Sequence, residues 1–317
     1  MANEKNDQIF CLLIIAIVSS ILGGIIFPVL GNALNPYILI WLGLLLFFNL
    51  IQLNTSDLLF TFTRTRILII LSLFKLIIIP IMIYIFGNYL EYPKPSKDML
   101  LSMFLLSGIS TGLGSPFVVN FVGGKLPIVV GLIITSSLAV PFILPTLVFI
   151  LFNSQFSIPL ENMTILLSIA LFIPLIASNV FKKYFPTVLK KISNKNLIFS
   201  IIFIFLMNYA VFAKYSNYFF HNIYFVLDNT IIAFSLFACY GFSGYLFARL
   251  IGLDKKERLS IFIAMSYVNN MLVVVLAQQF FTMQVAALSA FYNIPYYVGI
   301  LLLHKAMIQK KHNKKTT

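Results

Sequence analysis

The chain has 317 residues, of which 60% are hydrophobic and 10% are charged, and its formal net charge is +13. An ordinary soluble domain is about 45–50% apolar and about 25% charged, so this composition excludes a water-soluble enzyme. It also excludes a disordered chain, which needs low hydrophobicity and high charge. The long unbroken apolar runs predict an all-α polytopic membrane protein.

Ten apolar runs have the length of roughly 20 residues that a helix needs to cross a bilayer. The predicted spans are 9–27, 36–53, 67–90, 99–122, 126–152, 163–181, 196–213, 223–247, 259–281 and 285–304. With ten spans both termini lie on one side, and 18 of the 22 Lys and Arg residues fall on that side. The positive-inside rule then predicts cytoplasmic N- and C-termini in the plasma (inner) membrane. This membrane role explains the basic charge, so we expect the lipid bilayer and no nucleic acid as a partner.

The spans divide into two halves of five, which we predict to be domains 1–157 and 158–317, the second ending in a basic cytoplasmic tail. Because each half has an odd number of spans, the second half enters the membrane from the opposite face. That parity is typical of two inverted five-helix repeats.

The fourth span of each half is interrupted by polar residues. Span 4 carries SGISTGLGSP at 107–116, and span 9 carries SYVNN at 266–270. Pro and Gly weaken a helix, and broken backbone is tolerated in lipid only where protein or a water-filled cavity satisfies it. Interruptions at corresponding positions of two halves indicate a transport site. For Gly108 and Gly112 alone, a small-residue packing face is the alternative interpretation.

Three parts of the chain resemble the bile acid:sodium symporter family. They are LGLLLFFNLIQLNTSDL (42–58) with FKLIIIP (74–80), STGLGSPFVVNFVGGKLPIVVGLIITSSLAVPFILP (110–145), and YVNNMLVVVLAQQF (267–280) with FYNIPYYVGILLLHK (291–305). The order and spacing of these motifs within ten spans carry the resemblance. The auxin efflux carriers, a related family, share this fold. The resemblance implies a core domain and a panel domain, with broken helices 4 and 9 crossing at the substrate site.

The polar residues at the interruptions are the candidates for binding the substrate. They are Thr111, Ser115 and Asn270, together with Asn293 in span 10. A hydrogen bond from Asn293 to a neighbouring helix is the alternative to substrate contact. Half-helix N-termini at the crossing would offer positive dipole ends to an anion. We therefore predict a secondary transporter of a small organic anion, bile-acid-like or another carboxylate, that works by alternating access.

The chain departs from the family where the resemblance implies sodium sites. The family holds sodium with a Glu and a Gln on helix 9, a Gln on helix 3, a Ser-Asn pair on helix 4 and hydroxyls on helix 5. The corresponding positions here are Met265, Asn269, Lys75, Ser115 with Pro116, and the vicinity of Val129 and Ile133. Because hard cations take oxygen ligands, which Met, Val and Ile lack, we expect no bound metal, no other cofactor and no strict sodium dependence. A proton is the alternative coupling ion.

Lys75 lies well inside span 3, where a charge costs about 2.5–3.5 kcal/mol. One interpretation is that its side chain snorkels to the membrane surface. The other is that its ammonium takes the place of a sodium ion and donates hydrogen bonds to carbonyls of broken helix 9 and to Asn269. Lys75, Asn269 and Ser115 would then be the equivalent of the cation site.

Two other classes of protein compete with the transporter. The first is a membrane sensor or binding protein that keeps a degenerate carrier fold without transport. The second is an intramembrane serine protease, because 241–244 reads GFSG. That enzyme needs a histidine base inside a helix, but His221, His304 and His312 lie at span ends or in the tail, so we predict no enzyme. Asp228, early in span 8, reads as an interfacial or capping acid.

Overall fold

The computed structural model describes residues 2–51, 64–89, 95–112, 114–193 and 196–313. The described α-helices are α1 (Ala2–Ile26), α2 (Pro28–Leu34), α3 (Ile38–Ile51), α4 (Thr65–Leu73), α5 (Ile79–Tyr89), α6 (Lys97–Ser107), α7 (Ser115–Val122), α8 (Leu126–Phe152), α9 (Leu160–Tyr184), α10 (Pro186–Ser193), α11 (Asn196–His221), α12 (Ile223–Leu250), α13 (Lys255–Ser266), α14 (Asn270–Phe280), α15 (Met283–Phe291) and α16 (Asn293–Asn313). A 3₁₀ turn, Asn35–Tyr37, joins α2 to α3, and a π turn, Phe74–Ile78, joins α4 to α5.

The described helices make this an integral, multi-pass membrane protein. Seven helical stretches are long and apolar enough to cross a bilayer: Pro28–Ile51, Thr65–Tyr89, Leu126–Phe152, Leu160–Tyr184, Ile198–His221, Ile223–Leu250 and Met283–Leu303. They match seven of the ten predicted spans. Predicted span 1 contains the shorter apolar helix Cys11–Ile26, and predicted spans 4 and 9 are each formed by two short helices. The total of ten spans stays a prediction.

Several predicted boundaries differ from the structure. The second span begins at Pro28 instead of residue 36, because a 3₁₀ turn carries the helix across Pro36. Span 7 continues to His221, beyond the predicted end at residue 213. Span 10 is interrupted at Tyr292, between α15 and α16. Leu53 and Leu90, the predicted ends of spans 2 and 3, lie outside the described residues.

The chain divides into two compact units. The first unit comprises Met1–Gln52 and Ser168–Leu227, and the second comprises Leu53–Leu167 and Asp228–Thr317. Each unit therefore contains helices from both halves of the sequence. These units are defined by contacts between residues, whereas the boundary at residue 157 was predicted from sequence repeats. The two repeats therefore stay a prediction.

In the first unit, α11 supports the break between α1 and α2. Pro28 has no N–H, so the helix cannot continue its hydrogen bonds through this residue. The Tyr209 hydroxyl donates to Phe27 O (3.0 Å) and the Ser216 hydroxyl donates to Ile25 O (2.6 Å). These two side chains attach α11 to backbone carbonyls beside the break.

In the second unit, the π turn places Lys75 inside the protein. The Ile79 N–H donates to Phe74 O, five residues back, so the helix widens just before Pro80. Lys75 in this turn is only 1% exposed. Single π turns inside α-helices occur frequently at functional sites. This one aims a lysine at the interrupted helices described below.

Candidate functional site

Two unwound segments cross in the second unit, one between α6 and α7 and the other between α13 and α14. The Gly112 N–H donates to Tyr267 O (2.7 Å), and the Asn269 N–H donates to Ser110 O (2.9 Å). Thr111 and Val268 form an antiparallel bridge between these hydrogen bonds. The two broken helices thus satisfy part of each other's backbone, which is how a membrane protein can keep non-helical backbone in its interior.

Gly112 is the point of closest approach at the crossing. A Cβ atom added there would lie 2.6 Å from Val268 O and 2.9 Å from Tyr267 O. Both atoms belong to the backbone, so neither can rotate away as a flexible side chain can. Glycine at position 112 is therefore required for the crossing itself.

Lys75 reaches the crossing through the last turn of α13. Its Nζ lies 3.5 Å from Ala264 O, at the long limit of a hydrogen bond, and the Thr111 hydroxyl donates to the same oxygen at 3.0 Å. The Lys75 side chain is thus directed to the interior and away from the membrane surface. Within the described part of the chain, the expected hydrogen bond to the Asn269 amide is not formed, and no carboxylate forms an ion pair with Lys75.

The hydroxyl groups of Thr111 and Ser115 at the crossing bond to backbone. The Ser115 hydroxyl donates to Gly112 O (2.6 Å), at the start of α7. The Thr111 N–H donates to the Ser136 hydroxyl (3.1 Å), which in turn donates to Leu132 O in α8. These bonds fix the unwound segment to α8 and leave Thr111 and Ser115 fully buried.

The structure brings two of the four predicted substrate residues together as a pair. The Asn270 amide nitrogen donates to Asn293 Oδ1 (2.8 Å) and to Ser289 O (3.1 Å). Asn293 donates in turn to Ala290 O (3.1 Å). The pair joins the start of α14 to the break between α15 and α16. This is the helix-to-helix hydrogen bond that the sequence offered as the alternative role of Asn293.

Three of the expected sodium positions hold side chains without an oxygen atom. Met265, Val129 and Ile133 are all buried and carry no oxygen. The Met265 side chain packs closely on Gly244. Among the described residues, no group of three or more His, Cys, Asp or Glu side chains could hold a metal ion. The donor chemistry of the site is that of a buried ammonium, two amides and hydroxyl groups.

The remaining sequence candidates are an exposed acid and a helix-packing motif. Asp228 is exposed, whereas Lys75 is buried. The Ser243 hydroxyl donates to Tyr240 O within its own helix (2.9 Å), and Gly241 and Gly244 are closely approached by side chains of α13. The GFSG motif is thus a helix-packing surface in this structure.

A cluster of charges at the start of α13 was not predicted. Glu257 is only 3% exposed, and it accepts from Arg64 (2.7 Å) and from Lys125 (3.1 Å). Lys125 also pairs with Asp254, which caps α13. Hydrogen bonding between the two groups raises the pKa of Lys125 and lowers the pKa of Asp254. The cluster joins the first turns of α4, α8 and α13, and α13 ends at the Ala264 and Ser266 carbonyls of the crossing.

We expect Glu257→Gln to lower the free energy of unfolding by about 1–2 kcal/mol, because Arg64 and Lys125 lose the carboxylate that they share. The loss is modest because both cations are partly exposed to solvent. The measurement is the thermal melting of purified protein in detergent. Glu161→Gln is the control, because Glu161 is an exposed acid in the first turn of α9. Equal melting temperatures for the two variants would show that the cluster does not stabilise the fold.

Three residues that contact or support the crossing were not predicted as site residues from the sequence: Ser136, Tyr292 and Glu257. Ser136 is one of three consecutive hydroxyl residues, TSS at 135–137, inside the apolar span 5. This group of polar residues could have indicated that span 5 contacts the site. The Tyr292 hydroxyl donates to Ser266 O (2.7 Å), just before the second unwound segment. A tyrosine in an apolar run gives no comparable signal, because buried tyrosine is common in helix packing.

The chain matches the model of a known protein family. A family model described as "Sodium Bile acid symporter family" matches residues 39–222, which is more than half of the 317-residue chain. The matched range includes Lys75, Thr111 and Ser115, and it ends before Asn269, Asn270 and Asn293. A search of curated proteins gives no match.

Proposed function

The chain belongs to the sodium bile acid symporter family, and we propose that it transports a small organic anion, bile-acid-like or another carboxylate, by alternating access. Membership of this family of membrane transporters makes it a secondary transporter. The observation that carries the substrate proposal is the crossing of two unwound segments, with a buried ammonium 3.5 Å from Ala264 O at its edge. A buried positive charge without an acidic partner among the described residues favours an anionic ligand.

We infer that ten spans form two inverted five-helix repeats, 1–157 and 158–317. The support is that α6–α7 and α13–α14 are the fourth elements of the two halves and meet through paired backbone hydrogen bonds. We assign the second compact unit, which contains both broken helices, as the core domain, and the first unit as the panel domain. Cytoplasmic termini in the plasma membrane remain the orientation that the distribution of basic residues favours.

We assign the anion to the polar groups of the crossing: Thr111, Ser115, Asn270 and Asn293. Each of these four side chains already has a hydrogen-bond partner, yet an amide or hydroxyl group has further donor or acceptor capacity. A thermal-shift screen against bile acids and short-chain carboxylates tests the substrate class, because a ligand that binds the folded state raises its melting temperature. The anion with the largest shift then serves as the labelled probe for transport.

We propose that Lys75, with Asn269 and Ser115 nearby in the crossing, supplies the positive charge that other family members take from sodium. Uptake of the labelled anion into proteoliposomes should then persist when sodium is replaced by choline. A drop of more than about tenfold in choline would contradict this proposal. A protonophore added in the choline buffer tests the proton as coupling ion, because collapse of a proton gradient should then slow uptake.

The second candidate function is a sensor or binding protein that does not transport. The bond between Asn270 and Asn293 favours it, since these two amides bond to each other and tie two interrupted helices together. Saturable binding without accumulation inside vesicles distinguishes this function from transport. We propose no enzymatic activity, and Ser243→Ala should leave binding and transport unchanged.

A further inference from the structure

The segment that connects α9 to α11 has two unlike sides. The stretch 182–195 contains five lysines, which makes it the most basic part of the chain before the C-terminal tail. Pro186 has no N–H and ends α9, so the chain starts the short helix α10 directly afterwards. Eight residues give α10 a length of about 12 Å.

The sequence of α10, PTVLKKIS, follows a helical period. Val, Leu and Ile stand at 188, 189 and 192, while Thr, Lys and Lys stand at 187, 190 and 191. At about 3.6 residues per turn, these two sets fall on different sides of the helix. On the apolar side, Val188 is 43% exposed, and Phe185, just before α10, is 50% exposed.

The end of α9 fixes this segment at the edge of the first unit. The Lys182 Nζ donates to Leu50 O (2.8 Å), in the last turn of α3. Lys183 lies over the ring of Tyr184, which is 65% exposed. Aromatic rings beside lysines are typical of the zone where membrane meets water. The segment therefore lies where two apolar helices leave the membrane.

We propose that α10 is an interfacial helix that binds anionic phospholipid. Its apolar side enters the boundary between headgroups and acyl chains, and Lys183, Lys190 and Lys191 attract the lipid phosphates. The lysines complement the negative headgroup and the apolar side complements the acyl chains, as in other amphipathic helices that lie in the membrane surface. Binding would anchor the first unit at its predicted cytoplasmic edge, independently of the transported anion.

The test is a titration of phosphatidylglycerol into the full-length protein in detergent micelles, read as thermal stabilisation, with phosphatidylcholine as reference. Lys183→Gln/Lys190→Gln/Lys191→Gln should raise the half-maximal lipid concentration about fivefold per lysine. Lys310→Gln/Lys311→Gln/Lys314→Gln removes the same charge from the C-terminal tail and should leave the midpoint within about twofold of that of the unmodified chain.

Two results would overturn the proposal. One is an equal rise in the midpoint for both triple variants, which would indicate a general charge effect. The other is an equal stabilisation by free inorganic phosphate, which would show that the site recognises the phosphate and not a membrane lipid. A Val188→Ser variant gives a second readout, because loss of the apolar contact should also raise the phosphatidylglycerol midpoint.

Discussion

Replacing Gly112 by alanine is expected to disrupt the crossing of the two broken helices and to abolish binding of the organic anion. The added Cβ would meet Val268 O at 2.6 Å, Tyr267 O at 2.9 Å and the Val268 carbonyl carbon at 2.9 Å. These atoms can retreat only if the two unwound segments separate and the Gly112 N–H loses its bond to Tyr267 O. We expect a loss of about 2–4 kcal/mol in the free energy of unfolding, from overpacking and the lost hydrogen bond together.

The measurements are the melting temperature in detergent and the thermal shift produced by the anion. Gly43→Ala is the matched control, because a Cβ at position 43 would touch only Pro174 Cγ, at an ordinary 3.8 Å. Gly43 lies inside α3, where alanine has the higher helix propensity. The control should therefore be as stable as the unmodified chain or slightly more so. If Gly112→Ala had the same melting temperature and the same anion-induced thermal shift as Gly43→Ala, the crossing would not require glycine at position 112.

Lys75→Met is expected to change stability and function in opposite directions. A buried ammonium is costly in the membrane, so replacement by an apolar side chain of similar length should stabilise the folded protein by about 2–3 kcal/mol. Ala264 O keeps its hydrogen bond from the Thr111 hydroxyl, so no carbonyl is left unpaired. The same change removes the positive charge from the crossing, and we expect anion affinity to fall at least about tenfold in consequence.

Lys182→Met is the control for this prediction. Lys182 also donates to a helix carbonyl, Leu50 O, but it lies in the other compact unit. Its replacement should lower the melting temperature without changing anion affinity. A Lys75→Met protein that is more stable and binds the anion as well as before would show that the buried charge has no role in recognition.

The sequence predicted the two helix breaks because their residues carry a local signal. Glycine and proline weaken a helix wherever they stand, and adjacent asparagines are costly in lipid, so 107–116 and 266–270 were visible without a structure. The position of Lys75 inside the membrane was also predictable, because apolar residues flank it on both sides. That these two breaks contact each other could be predicted only from the inverted symmetry of the two halves.

Long-range and subtle features could not be predicted in this way. The Glu257 cluster joins residues almost 200 positions apart, and charges near a span end look alike whether they pair or only face water. The π turn that turns Lys75 inward has no sequence signature beyond the later Pro80. The break at Tyr292 precedes its nearest proline by three residues, so the apolar pattern ran through it.

The compact units depend on packing between distant helices, which a linear pattern does not contain. In the first unit, Gly24 and Gly31 allow α1 and α2 to approach the backbone of α11, near Tyr209 O. Gly24 does not interrupt its apolar run, and Gly31 falls between predicted spans 1 and 2, so neither residue signals this contact. The first unit consequently combines N-terminal helices with helices from the second half of the chain.

Counterflow of the labelled organic anion, in sodium-free proteoliposomes preloaded with the same unlabelled anion, tests the central claim most directly. We predict transient accumulation of label above its equilibrium level, with choline as the main cation, and loss of that accumulation in Lys75→Met. A carrier produces this overshoot, whereas a protein that only binds the anion cannot. Saturable binding of label without an overshoot would contradict transport, and an overshoot that appears only with sodium would contradict the role assigned to Lys75.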